Sequence, residues 1–232
     1  EIEKKSSFLR IKQLFVLAGL LAEDHLQTQA TITGSNRATV LAQLSPEDAV
    51  FIDQIWHYAE AYHYILLSQR QLRAGLMHSS VLSSIRLRDY EDVLEIEKIY
   101  GLIALASCAD RSFGTCSKAF IKLEAIETIQ EHKRQEYEEL AVNIFSRYDP
   151  KDTKMDQTQC FACESYVADW ETSCPHCGSH FPACIASGQS IVSPQAAWQC
   201  SKCQHLAKRI EIASRRSCPL CHSLVTLQRS EI

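Results

Sequence analysis

Apolar residues recur at three- and four-residue intervals through the first 148 positions, and beyond them that period is lost. Phe8, Ile11, Phe15, Ala18 and Ala22 share one helical face, and Thr33-Gly34-Ser35-Asn36 breaks that helix. Ser45 opens the next one. A serine cap is followed by Pro46 at the first helical position, with Glu47 and Asp48 in the first turn, where the helix dipole favours acids. Its inward stripe is expected to be Phe51, Ile55, Tyr58, Tyr62 and Leu66. A third helix is expected over 75–90, with Met77, Val81 and Ile85 inward, and three more over 93–108, 113–129 and 131–148. Connections of a few residues force such helices to pack as antiparallel neighbours. The last pair spans roughly 36 residues, close to the tetratricopeptide period, although that repeat's strict consensus is not evident. The expected fold is therefore mainly α over 1–148: a TPR-like helical-hairpin solenoid in which each hairpin buries its face against the next.

Residues 149–159 are polar, carry Pro150 and continue no apolar period, so they read as a linker and flexible tether. Over 160–232 the pattern changes to short candidate strands: Tyr166-Val167, Phe181, Ile191-Val192, Ile210-Glu211-Ile212 and Leu224-Val225. Between them lie four C-x-x-C pairs: Cys160 and Cys163, Cys174 and Cys177, Cys200 and Cys203, Cys218 and Cys221. This spacing lets one tight turn aim two thiolates at a single ion, and a tetrahedral Zn²⁺ takes four. Eight ligands make two closed sites, so the expected cofactor is two structural Zn²⁺ ions. They would sit in a small α+β/β module of two tandem zinc ribbons. Intervening loops of 10 and 14 residues, against 22 between the second and third pairs, favour sequential over cross-braced pairing, because shorter loops cost less closure entropy. On this reading chelation unfolds 160–221 and leaves the helices standing. Gly178 suits the left-handed turn after a knuckle. Glu164, Gln204 and His222 stand at the other three such positions, where less regular turns are expected.

The eleven cysteines are an odd number, and Cys108 and Cys116 sit in helical patterns, so metal ligation rather than a disulfide framework is expected, in a reducing compartment. Cys184 reads as a small buried hydrophobe beside Phe181 and Pro182, with a ninth ligand or a redox thiol as the alternative. His176, His180, His205 and His222 lie near knuckles as substitute ligands, although eight cysteines suffice. All-thiolate sites leave no open position for hydrolysis, and no His-Glu-x-x-His, phosphate loop or Gly-x-Ser-x-Gly occurs, so no enzyme activity is expected. Residues 1–152 carry 17 Lys+Arg against 22 Asp+Glu, without the basic excess of a nucleic-acid binder. Lys202, Lys208, Arg209, Arg215 and Arg216 form one basic cluster, read either as a solubilising surface or as a contact for RNA, anionic lipid or acidic peptide. The longest apolar stretch, Leu14 to Ala22, is far short of a bilayer span, and the start at Glu1 without a leader reads as a piece of a longer protein.

Several runs resemble the WD-repeat subunits of intraflagellar transport complex A (IFT-A). They are Arg86-Leu-Arg-Asp-Tyr-Glu-Asp92, Ile99 to Cys108, Arg111 to Leu123, Trp170, the Phe181-Pro-x-Cys-x-x-Ser-Gly188 stretch and Cys218 to Ser223. The resemblance covers most of the chain from about Tyr58 onward. It implies N-terminal β-propellers outside this sequence, a tetratricopeptide-like solenoid and a C-terminal zinc module whose ligands fall on the eight knuckle cysteines. The implied function is a non-enzymatic scaffold for retrograde ciliary transport and ciliary entry of membrane proteins. The implied partners are other IFT-A subunits and, through adaptors, membrane-protein cargo. The implied location is cytoplasm and cilium, at axoneme and basal body. The alternatives are a RING-like ubiquitin ligase, which needs cross-braced ligands, and a vesicle-tethering or coat subunit.

Overall fold

The computed structural model describes residues 2–152 and 157–225, with side chains from residue 7. Its helices are α1 (Ile2–Thr33), α2 (Arg37–Gln43), α3 (Pro46–Arg73), α4 (Met77–Ile85), α5 (Ile96–Asp110), α6 (Phe113–Glu124), α7 (Glu131–Phe145) and the single turn α8 (Arg209–Ile212). Two antiparallel hairpins accompany them. In the first, β1 (Gln157–Gln159) pairs with β2 (Tyr166–Ala168), with Thr158 opposite Val167. In the second, β3 (Ala197–Gln199) pairs with β4 (Leu206–Lys208), with Trp198 opposite Ala207. The chain is thus mainly helical, with small zinc-finger-like hairpins. It divides into two compact units, Glu1–His63 with Gln195–Ile232, and Tyr64–Pro194. The division falls inside α3.

Several local expectations are corrected. The α3 stripe holds at Ile55 and fails at Phe51, which is 62% exposed, whereas Ile52, Trp56 and Ala59 are buried. Residues 75–90 do not form one helix. Gly75, at φ +78°, ends α3, and α4 tightens at Arg86 into a 3₁₀ turn reaching Tyr90. Residues 37–43 form a short helix that periodicity does not reveal, started by Asn36, whose side chain accepts from the Thr39 amide at 2.8 Å. Ile210-Glu211-Ile212 is helical, not extended, and Phe181 and Ile191-Val192 lie outside strands. The Ser45 start holds as expected: its hydroxyl accepts from the Asp48 amide at 3.1 Å and donates to the Asp48 carboxylate at 2.7 Å.

In the first unit, Phe15 of α1 stacks on Tyr58 of α3 with centroids 4.9 Å apart. Gly19 lets the two helices approach, because a Cβ there would lie 2.7 Å from the buried Trp56 ring. Glu23, nearly buried on α1, receives both the Nε and Nη2 groups of Arg37 at 2.6 Å, which fixes α2. In the second unit, Ser68 and Ser80 each donate a hydroxyl to the other's carbonyl at 3.0 Å, a close α3–α4 contact that larger side chains would prevent. Helices α4 to α7 then pack in sequence order. Ile103, Cys116, Phe120 and Leu123 fill the core, and burial pushes the Cys116 thiol up to about 12, so it stays protonated and inert. Asp152 is anchored: its carboxylate accepts from the Thr115 amide at 3.1 Å and the Thr115 hydroxyl at 3.0 Å, at the start of α6. Of the rest of the expected tether, residues 157–159 are not a linker but strand β1, paired to β2, and residues 153–156 lie outside the described residues.

Glu97 clamps α7 onto α5, accepting from Lys133 Nζ at 2.9 Å and from the Tyr137 hydroxyl at 3.0 Å. The Lys133 bond, with the Tyr137 bond behind it, holds the Glu97 carboxyl below its ordinary value, against some burial. A folded-state pKa that is depressed adds stability above the unfolded value, and that stability is lost as pH falls through the folded one. Amide-exchange protection of α7 is therefore expected to fall below about pH 4 before that of α5 does. In Glu97→Gln, α7 protection should be lower at pH 7, and the acid-induced step should vanish. An unchanged acid step in Glu97→Gln would reject the clamp.

Candidate metal centres

The same local fold recurs at each cysteine pair. The amide four residues after the first cysteine donates to that cysteine's carbonyl: Glu164 to Cys160, Gly178 to Cys174 and Gln204 to Cys200 at 2.9 Å, and His222 to Cys218 at 3.0 Å. The first cysteine's amide donates onward to the carbonyl of Ser165, Ser179, His205 or Ser223. The closing residue has positive φ in every case, +74° at Gly178 and +58° to +62° at Glu164, Gln204 and His222. The three non-glycine turns are therefore as regular as the glycine turn, contrary to expectation. The two hydrogen bonds per turn offset a left-handed cost of about 1–2 kcal/mol.

The turns bring the thiols together sequentially. Cys160, Cys163, Cys174 and Cys177 form the first cluster, in the unit of residues 64–194. Cys200, Cys203, Cys218 and Cys221 form the second, in the other unit. Within each, all four sulfurs lie within 4.8 Å of one another. The Sγ–Sγ distances are 3.7 Å for Cys160–Cys177, 3.6 Å for Cys163–Cys174, 3.7 Å for Cys200–Cys221 and 3.8 Å for Cys203–Cys218. A regular tetrahedron with metal–sulfur bonds of about 2.3 Å has edges of about 3.8 Å, so both clusters fit one tetrahedral ion. None of the eleven cysteines is in a disulfide. His176, His180, His205 and His222 add no nitrogen to either cluster, and the cross-braced arrangement of a RING-like ligase is not formed.

The electrostatics call for a cation. The Ser179 hydroxyl, 3.1 Å from Cys177 Sγ, draws that thiol down to about 6, and Ser165 draws Cys163 down in the same way. Burial pushes Cys174 up to about 11. In the second cluster Cys203, Cys218 and Cys221 pull Cys200 far down, while Cys200 pushes Cys203 and Cys218 up. Four sulfurs this close share their charge unevenly, and only a bound cation lets all become thiolates. The serine two residues beyond the second cysteine, at Ser165, Ser179 and Ser223, is the helper that motif reading missed. The recurrence C-x-x-C-x-S is visible in the sequence and would have found it. At the third knuckle His205 takes that place. Its Nδ1 lies 2.6 Å from the Cys203 carbonyl and its Nε2 3.2 Å from Glu60 of α3, with its ring edge-on to Trp56. Lys12, buried in α1, donates to the Pro219 carbonyl at 3.1 Å, so helices of this unit grip both of its knuckles.

Cys184 is fully buried, and its place is unexpected: it opens a fifth turn of the same kind. Gly188 donates to the Cys184 carbonyl and Cys184 to the Gln189 carbonyl, both at 2.8 Å, and Gly188 has φ +82°. The bridge Ala183–Ser190 repeats the bridges Ser173–His180 and Ser217–Leu224 of true knuckles. Ser187 stands where the second cysteine would be and accepts from the Gln189 amide at 3.4 Å. This turn docks on protein instead of metal. Buried Arg86 donates through Nε to the Gly188 carbonyl at 2.8 Å and through Nη2 to Ser190 Oγ, and Ser83 Oγ donates to the Ser187 carbonyl at 2.8 Å. Of the basic cluster near the second site, Arg209 and Arg215 each donate their Nε–H to a backbone carbonyl, of Ala197 and Glu211.

Residues 53–152 match the family described as IFT121-like, TPR repeats, and residues 182–226 match IFT121, second zinc finger domain. Together the two matches cover more than half of the chain. WD repeat-containing protein 35 of Rattus norvegicus, Mus musculus and Homo sapiens is 38% identical in each case over 97% of the chain. The chain spans 19% of the length of these relatives.

Proposed function

Because the chain belongs to the IFT121-like family, we propose that it is the tetratricopeptide and zinc-finger portion of a non-enzymatic scaffold subunit of intraflagellar transport complex A. One observation carries the reading: tetratricopeptide and zinc-finger matches to one family follow each other in order, and two tetrahedral thiol clusters accompany them. The helices offer faces to other IFT-A subunits, and the knuckles are docking heads. Cys160, Cys163, Cys174 and Cys177 hold one structural Zn²⁺, and Cys200, Cys203, Cys218 and Cys221 hold the other. The subunit serves retrograde transport and the ciliary entry of membrane proteins, the latter through adaptors, and works in cytoplasm, axoneme and basal body. Residues 160–232 act as the zinc module, with β1 (157–159) part of its first hairpin, and 149–156 act as its connection to the helices.

A pull-down of the whole protein from ciliated cells, with and without residues 53–232 of this chain, tests the assignment. The intact protein is expected to bring down the other IFT-A subunits, and the truncated one to lose at least one of them. Full recovery without these residues would reject the scaffold role. Elemental analysis of the purified chain should find two zinc ions, and one or none would reject the metal assignment.

A further inference from the structure

The unit of residues 64–194 carries a cavity of about 350 Å³ that neither cluster explains. Its floor is apolar: Ile85 at the end of α4, Ile103 of α5 and the ring of Trp170. Trp170 packs there against Val81, Ile85 and Ala106. The rim is cationic, formed by Arg88 of the 3₁₀ turn and by Lys118 and Lys122 of α6. The lysines are four residues apart on one helix face, a like-charge pair that disfavours the isolated helix. Both are exposed, and neither forms an ion pair with any described residue. One carboxylate, that of Asp152, also lines the cavity, fixed in place by Thr115, so the lining carries three cations against one acid. Ile121, 61% exposed, extends the apolar surface at the mouth. This basic rim stands in a helical region with more acids than bases.

We propose that this cavity binds a short acidic segment of a partner protein, which inserts one large apolar side chain onto Trp170 while flanking carboxylates meet Arg88, Lys118 and Lys122. The volume lies at the small end of ligand sites, which suits one or two anchoring side chains rather than a whole cofactor. The charges supply register and encounter rate, and the buried anchor supplies most of the affinity. A phosphate backbone would leave the apolar floor unfilled. The proposal deepens the scaffold reading by naming a partner chemistry, and it rests on that reading only in taking the ligand to be a protein.

The test is selection of random twelve-residue peptides on the whole 232-residue chain, with Lys118→Glu/Lys122→Glu as counter-target and Lys118→Gln/Lys122→Gln as a milder second variant. The expected winners place aspartate or glutamate on both sides of an aromatic or large aliphatic residue. They should bind at least tenfold more weakly to the reversed-charge variant, weaken less with the neutral one, and protect α6 and Trp170 from hydrogen exchange or oxidation. Selection without acidic enrichment, or winners indifferent to both variants, would overturn the proposal. So would anionic lipid vesicles or a single-stranded oligonucleotide that displace the winners with the same lysine dependence. Because the purified chain is used alone, failure here leaves the co-precipitation result standing, and the reverse also holds.

Discussion

Stripping metal from the zinc-loaded chain is expected to remove one ion before the other and to loosen helices as well as knuckles. In the first cluster Cys177 is exposed and Cys163 half-buried, whereas all four sulfurs of the second are buried. A chelator therefore meets the first site sooner. In peptide models a structural zinc site contributes about 10–16 kcal/mol, as much as the net stability of a whole domain. The second cluster is gripped by Lys12 of α1 and, through His205, by Glu60 and Trp56 of α3. Loss of that ion should therefore deprotect α1 and the first half of α3 in hydrogen exchange, beyond the hairpin itself. Cys218→Ser, which leaves a buried three-sulfur site, should reproduce this state without chelator. Full protection of α1 and α3 after both ions have left would reject the coupling. It would restore the simpler expectation, from the sequence, of a zinc module that unfolds alone.

Replacing Arg86 by methionine is expected to be the most damaging single change outside the cysteines. The side chain is 2% exposed, and burial draws its guanidinium below the ordinary value, yet it remains charged because two acceptors meet it. Hydrogen bonds from a charged donor contribute about 1.5–3 kcal/mol each, so losing both costs roughly 3–5 kcal/mol once the remaining apolar packing is credited. Lysine presents a single ammonium instead of a fork, so Arg86→Lys should recover only part of the loss. Gly188→Ala tests the same latch from the other side. Its Cβ would lie 2.6 Å from the Ser83 Cα, at a φ that side chains rarely adopt, so several kcal/mol should be lost with Arg86 intact. Ser190 also donates its hydroxyl to the Glu171 carbonyl and its amide to the Asp169 carbonyl, just before Cys174. Urea unfolding of the Arg86 variants should shift to lower midpoint, and their first zinc site should release metal faster. A wild-type midpoint in Arg86→Met would show that the fifth turn holds nothing.

The four C-x-x-C pairs carry their own geometry, because backbone bonds within six residues set each turn, and the tetrahedral edge then decides which turns can meet. That is why the sequential grouping of these eight cysteines into two clusters was legible before any tertiary contact was known. The existence of the long helices was equally legible, since apolar period and the Ser45 capping pattern are local, whereas the short helices α2 and α8 were not. Which face turns inward was less so: α3 carries apolar residues nearly all round, so the partner, not the period, exposes Phe51 and buries Trp56. The serines of α4 look polar in one dimension, yet Ser80, Ser83 and Ser84 are wholly buried, because small hydroxyls allow close approach: Ser80 and Ser83 find carbonyls across the contact, and Ser84 finds that of Val81 in its own helix. The fifth turn escaped notice for the same reason. Without a second cysteine it has no metal signature, and its role depends on Arg86, about a hundred positions away in the chain. Turn chemistry, metal valence and helical period are therefore fixed by neighbours in sequence. The helices that grip the two knuckles of the second cluster, and the turn that an arginine holds in place of a metal, are fixed by burial of charges and carbonyls that only the folded chain brings together.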